Sequence, residues 1–321
     1  MATRPKIVYP DIDEASVDAL KGPLLERLQV VGDFDYHLGE VVDDNDFCQR
    51  VGDANAVLLG WQLPDAVLQR CKQLELIVFT GTGAANHINL ALAQKIGVSV
   101  CNTPGYADQT VAEHSIALML AAARQIVTLD RETRSGGWNH QRPAYDLKGK
   151  TLGLIGLGGI GKRTATLAQA FGMDVIVYTA NPSAQRAKEC GVRFESLPNL
   201  LRTSDVVSIH LALNSQTEGL IGADYLALMP NNALLINTAR AEIVDQAALL
   251  AELQSGRLAA GLDVFAQEPL AADSPFFALD NLVITPHTGY NTPQANLAVL
   301  DIAIGSVEAF YAGKPVNLVT A

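Results

Sequence analysis

The chain has 321 residues, of which 49% are hydrophobic and 18% charged. That length suits about two domains of the usual ~100–200 residues, and the composition excludes a disordered or fibrous polypeptide. With 23 Lys and Arg against 34 Asp and Glu, a net −11, no nucleic-acid partner is expected, because phosphate contacts need clustered cations.

In chain order, residues 6–9, 56–59, 76–79 and 98–101 read as buried strands, with amphipathic stretches such as 64–74 between them. Strands alternating with helical patterns imply β-α-β units and a parallel sheet, so the first ~100 residues read as one small α/β unit. A helix-rich segment follows over 111–134 and stops at the breaker cluster Ser135-Gly136-Gly137-Trp138. A second α/β unit opens at 150–155, with later strands over 175–178, 206–211, 233–237, 259–262 and 282–285. Asp245 can cap a helix that runs to Ser255, with Gly256 just beyond its end. From Thr292 to Tyr311 the pattern is helical again.

Four cysteines, Cys48, Cys71, Cys101 and Cys190, are scattered without a C-x-x-C. This favours a reducing cytoplasm over a disulfide framework, and no metal site is expected. The N-terminus lacks the apolar run of a signal peptide, and the apolar run at 116–123 is far short of the ~20 residues a membrane helix needs, so no membrane association is expected.

Gly156-Leu157-Gly158-Gly159-Ile160-Gly161 matches G-x-G-x-x-G, follows a predicted strand and opens a predicted helix. That helix would place Ile160, Thr164, Leu167, Ala168 and Phe171 on one face. This is the context a dinucleotide fingerprint requires. Gly156 would allow the tight turn, Gly158 the approach of the pyrophosphate, and Gly161 close helix–strand packing, while the helix N-terminus offers N–H groups to the phosphates. An acidic residue is expected about 20 residues on, to take the ribose hydroxyls. Here the strand over 175–178 ends in Thr179, with Asn181, Ser183 and Arg186 beyond it. Neither a carboxylate nor an Arg stands immediately after the strand, which leaves the choice between the two cofactors open, with NAD the first expectation and NADP possible. A second glycine cluster, Gly81-Thr82-Gly83-Ala84, lacks the third glycine and reads as a loop at a strand end.

Three polar residues lie just past predicted strand ends: Arg240 in Asn237-Thr238-Ala239-Arg240, Glu268 in Asp263-Val264-Phe265-Ala266-Gln267-Glu268-Pro269, and His287 in Thr285-Pro286-His287. Ligands of open α/β sheets bind at that edge. An imidazole there can donate a proton near neutrality, a carboxylate beside it would fix the ring and favour its protonated form, and a guanidinium fork suits a carboxylate and a carbonyl oxygen.

The ordered set of the glycine fingerprint, Asn-Thr-Ala-Arg, Asp-Val-Phe-x-x-Glu-Pro and Thr-Pro-His resembles the D-isomer-specific 2-hydroxyacid dehydrogenases, as do Asn102-Thr103-Pro104-Gly105 and Val111-Ala112-Glu113-His114. The pattern looks nearest to glycerate dehydrogenases and hydroxypyruvate or glyoxylate reductases. The resemblance covers nearly the whole chain and implies two Rossmann-like or flavodoxin-like domains with parallel sheets. Residues 1–102 and 291–321 would form the substrate domain. Residues 103–290 would form the inserted NAD(P)-binding domain, with a dimerisation arm over about 103–149 of a homodimer. It implies Arg240, Glu268 and His287 as catalytic residues. Cofactor contacts would come from Gly156, Gly158, Gly159, Ile160, Gly161, Thr179, His210, Thr238, Asp263 and Thr110, with Asp263 on the nicotinamide carboxamide. The backbone of Gly83 and Ala84, together with Arg240 and His287, would bind the substrate, a small 2-keto or 2-hydroxy acid. Departures from the family pattern are Ala84, Asn89, Ala212 and Ala241, none of which removes a catalytic group. The alternative is a protein-interaction module of the corepressor type, gated by NAD(H) on the same fold.

Overall fold

The computed structural model describes residues 4–320. The chain divides into two compact units, Met1–Ala107 with Asn291–Ala321, and Asp108–Tyr290. The first break falls past residue 102, where the sequence placed it. Asn102 and Thr103 are still bonded into the first unit, to Asn317 O at 3.1 Å and Gly81 O at 3.0 Å.

In the first unit, β1 (Lys6–Ile12), β2 (Asp33–Leu38), β3 (Ala56–Leu59), β4 (Leu76–Phe79) and β5 (Ser99–Cys101) form a parallel sheet in the order β2-β1-β3-β4-β5. This is the flavodoxin-like order. Strands β3 and β4 are buried at every position, as helices on both faces of a parallel sheet require, and that is why they stood out as apolar runs. Strand β2 was missed. Its sequence, Asp33-Phe34-Asp35-Tyr36-His37-Leu38, is mostly exposed at the sheet edge, where charge is tolerated and blocks further pairing. The helix Pro293–Tyr311, capped by the Thr292 side chain on Ala295 N, returns the chain to this unit. It buries Val299, Leu300, Ala303, Ile304 and Val307 in one cluster with Ile7, Leu58 and Val78. Arg27 clamps its solvent side, with Glu308 at 2.7 Å.

The second unit holds β6 (Thr151–Ile155), β7 (Asp174–Tyr178), β8 (Arg193–Phe194), β9 (Val206–Ile209), β10 (Leu234–Asn237), β11 (Ala259–Leu262) and β12 (Leu282–Ile284). All pairings are parallel, in the order β12-β11-β10-β9-β6-β7-β8. Strand order reverses between β6 and β9, the switch point of a Rossmann sheet. The short β8 was not expected. The helix-rich segment resolves into two helices, Asp108–Ala123 and Ile126–Arg134, broken at Gln125, whose φ of 52° is left-handed. Phe171 does not join the buried face of the helix Gly159–Ala170. It is that helix's C-cap and is 43% exposed, while Gly161, Thr164, Ala165 and Ala168 are buried. Among the described residues no helix is long and apolar enough to cross a membrane.

Asp245 accepts from Ala247 N and Ala248 N at the start of the helix Gln246–Gln254. Asp245→Ala is expected to cost about 1 kcal/mol of stability, read as a lower denaturant midpoint with an unchanged slope.

Candidate active site

Three neighbouring parallel strands, β10, β11 and β12, each end in a segment that carries one of the singled-out polar residues. Their carboxyl ends share one edge, so Arg240, Glu268 and His287 leave the same side of the sheet despite their separation in sequence. Glu268 and His287 are in direct contact, Oε2 to Nδ1 at 2.7 Å. The other carboxylate oxygen of Glu268 accepts the Phe265 N–H at 2.7 Å. A carboxylate accepting at both oxygens fixes Nδ1 of His287 as a donor and leaves Nε2 as the working nitrogen. The pair is about one-third exposed. Arg240 is set by the buried Asn237 side chain, whose Oδ1 accepts from Ala239 N at 3.0 Å and whose Nδ2 donates to Arg240 O at 2.9 Å. One guanidinium nitrogen of Arg240 donates to Ala239 O at 2.7 Å, and the side chain makes no ion pair among the described residues.

His287 has a φ of 51°, a left-handed backbone unusual for a side chain other than glycine. Asp263 holds it there. The Asp263 carbonyl accepts His287 N at 2.8 Å, and its carboxylate accepts Thr288 N at 2.9 Å, Gly289 N at 2.9 Å and Thr285 Oγ1 at 2.5 Å. Because Thr285 spends its hydroxyl hydrogen on Asp263, its oxygen accepts from His114 Nε2 at 2.9 Å. Burial works against the charged carboxylate, but these donors outweigh it and hold Asp263 below the usual carboxylate range. The Asp263 expectation was a contact to the nicotinamide. Its side chain is 2% exposed; Oδ1 accepts from Thr285 Oγ1 and Thr288 N, and among the described residues Oδ2 accepts from Gly289 N alone. Asn237 and His114 were not expected in the site. A buried Asn at a strand end was the one available signal for the former.

The glycine fingerprint lies after β6, at the switch point. Gly156 has a φ of 105°, and a Cβ there would meet His210 O at 2.3 Å; a Cβ on Gly161 would meet Gly156 O at 2.4 Å. A Cβ on Gly158, by contrast, would meet nothing within 4 Å. The turn is therefore closed on its protein side and open where a ligand would approach. Gly158 caps the helix Gly159–Ala170 without a side-chain hydrogen bond, which leaves N–H donors at the end carrying positive dipole. This arrangement fits a dinucleotide pyrophosphate. Ile160 opens the same helix, and Gly159 packs beneath the Asp108 carboxylate, which would overlap any Cβ there. Thr110 lies in the first turn of the helix Asp108–Ala123. Thr238 is buried, with its hydroxyl paired to Ser115 Oγ at 2.8 Å. Thr179 follows β7 directly, at the sheet edge.

In the first unit, Gly83 and Ala84 follow β4. Gly83 caps the short turn Ala84–Asn86, Ala84 is buried, and the loop is braced by Thr103 N on Gly81 O at 3.0 Å and Asn102 Nδ2 on Thr82 O at 2.9 Å. His210 follows β9, packs against the fingerprint turn, and pairs with Ser208 Oγ at 2.9 Å. Burial lowers its pKa from 6.5 to about 4, so the folded ring is neutral at pH 7. The unfolded chain then binds a proton that the folded chain refuses. Stability contributed by the neutral ring is complete above pH 6.5 and is lost as pH falls toward about 4. The melting temperature of His210→Gln should fall less between pH 7 and pH 5 than that of the wild type; equal falls would exclude His210 as a source of acid sensitivity.

A profile described as "D-isomer specific 2-hydroxyacid dehydrogenase, NAD binding domain" matches residues 116–289. The chain is 39% identical over 280 residues to a glyoxylate reductase of Aeropyrum pernix, covering 84% of this chain and 83% of that protein. It is 38% identical over 267 residues to a glycerate dehydrogenase of Methylorubrum extorquens, covering 79% and 81%. An acyclic imino acid reductase solved in complex with NADPH and D-Arg superposes with a TM-score of 0.86 at 27% identity, covering 98% of this chain and 99% of that one. Sequence, topology and the placement of the strand-end residues agree, and the chain belongs to the D-isomer-specific 2-hydroxyacid dehydrogenases, NAD(P)-dependent oxidoreductases.

Proposed function

We propose that the protein reduces a small 2-keto acid to the D-2-hydroxy acid, with glyoxylate and hydroxypyruvate as first substrates and D-glycerate oxidation as the reverse reaction. The contact that carries this reading is the His287–Glu268 pair at 2.7 Å, which joins the segments after β12 and β11, next to β10, whose following segment delivers Arg240. A nicotinamide cofactor, when bound, supplies the hydride for C2 of the keto acid. Arg240 binds the substrate carboxylate and the carbonyl oxygen, where negative charge grows as C2 is reduced. His287 Nε2 delivers the proton to that oxygen, and the Glu268 carboxylate on Nδ1 keeps the imidazole aimed until it does. Asp263, Thr285 and His114 position the His287 turn. The backbone N–H groups around Gly83 and Ala84 serve the substrate carboxylate. The fingerprint glycines, with Ile160, Thr110, Thr238, Thr179 and His210, line the nucleotide's path. We assign substrate binding to the first unit and cofactor binding to the second. The relatives' names, glyoxylate reductase and glycerate dehydrogenase, support the substrate choice. They lend nothing to the corepressor-type alternative.

We assign the protein to the cytoplasm as a homodimer. The arm after residue 103 exposes Ile126 at 53%, Val127 at 49% and Trp138 at 82%, apolar surface that suits a second copy of the chain. Sedimentation is expected to give twice the 34.2 kDa chain mass, and Trp138→Asp to weaken that association; a monomeric wild type would refute the assignment.

Initial rates for glyoxylate, hydroxypyruvate, pyruvate and phenylpyruvate decide the substrate. Arg240→Ala is expected to lower kcat/KM for the best keto acid by about 10²–10³-fold, with nucleotide affinity nearly unchanged. His287→Gln is expected to lower kcat by about 10²–10⁴-fold. Activity within a few-fold of wild type in either variant would remove that residue from the chemistry.

A further inference from the structure

We propose that the nucleotide site selects the 2′-phosphorylated cofactor, NADPH, and that Arg186 is the residue that recognises the 2′-phosphate. This rests on the reading of the second unit as the cofactor domain and extends it to the choice of cofactor.

An NAD-selective Rossmann site keeps a carboxylate at the end of the second strand, where it accepts the ribose hydroxyls and repels a phosphate. In this sheet that position follows β7 and holds Thr179, whose hydroxyl carries no charge. Arg186 reaches the same corner from the helix Ala184–Cys190. Its guanidinium donates to Leu157 O, inside the glycine fingerprint, at 2.7 Å, and to Asn181 O in the loop after β7. The cation therefore spans the pyrophosphate turn and the ribose end of the strand. Two backbone carbonyls hold it in place. Neither neutralises it, and among the described residues Arg186 makes no ion pair.

A guanidinium held only by carbonyls keeps its full charge beside the loop that follows β7. Two of the guanidinium's five N–H groups are committed to the carbonyls, and three remain for an incoming anion. A phosphate dianion suits that donor fork, and a neutral ribose hydroxyl uses it poorly. The hydroxyl of Ser183 caps the backbone N–H of Arg186 at 3.2 Å and fixes where the side chain starts. Glu195 shares with Thr179 and Pro182 an open depression of about 490 Å³. It is the carboxylate an NADH-selective site would have to recruit, but its Oε2 is held by Asn199 Nδ2 at 2.7 Å.

The test is calorimetric binding of two cofactor fragments, 2′,5′-ADP and 5′-AMP, to the full chain, followed by kcat/KM with NADPH and NADH. The wild type is expected to prefer the 2′-phosphorylated member of each pair by about ten- to a hundred-fold, the range of charge-assisted hydrogen bonds. Arg186→Gln should erase that preference with 5′-AMP affinity unchanged, Arg186→Lys should keep part of it, and Thr179→Asp should invert it. Retained 5′-AMP binding shows that a variant is folded. Should Arg186→Gln not fold, the Arg186→Lys and Thr179→Asp results decide. Equal fragment affinities, tighter 5′-AMP, or a preference that survives Arg186→Gln would overturn the proposal. Failure of the proposed reaction looks different: fragment selectivity would persist while no keto acid turned over.

Discussion

The buried carboxylate of Asp263 is the interaction on which the reactive end of this protein depends. Its oxygens and its carbonyl take hydrogen bonds from both sides of the turn that carries His287. That turn places a side-chain-bearing residue in left-handed backbone, a conformation that persists only where the surroundings over-determine it. Glu268 then fixes the ring from the opposite side. The imidazole is thus held by Asp263 through the backbone of its turn and by the Glu268 carboxylate through its ring. Proton transfer needs such control, because a general acid works only within hydrogen-bond reach of its acceptor.

The sheet supplies the second constraint. In an all-parallel sheet every strand delivers its following loop to the same edge. Strands β10, β11 and β12 are neighbours, so three loops far apart in sequence become adjacent without any loop crossing the sheet. The fingerprint turn after β6 leaves the same edge at the point where strand order reverses. A single topological choice therefore sets both the nucleotide turn and the polar trio. The buried Asn237 and the network of His114 and Thr285 refine what the topology has placed.

The arginines of the two units differ in what holds them. Arg27, Arg257 and Arg193 are paired with carboxylates and serve the fold. Arg240 and Arg186 rest on backbone carbonyls alone, one after β10 and one beside the turn after β6. In an acidic chain, cations left without a carboxylate at the carboxyl edge of a parallel sheet are suited to anionic ligands.

Much of this was legible from the sequence, because it was local. Fully buried strands such as β3 and β4 are continuous apolar runs, and β9 and β10 depart from that only at Ser208 and Asn237. The glycines of the fingerprint are demanded by their own backbone, and Asp245 and Thr292 cap helices a few residues away. Strand β2 was hidden because an edge strand needs no apolar run, and Gln125 because a helix break by one left-handed residue leaves no proline or glycine behind. What only the tertiary structure decided are the long-range pairings. Arg186 meets the fingerprint turn, Asn237 bonds around Arg240, and Asp263 reaches back to His114 and forward to Gly289. These contacts join residues whose partners are chosen by strand order and loop path, and a linear pattern carries no record of which strand lies beside which.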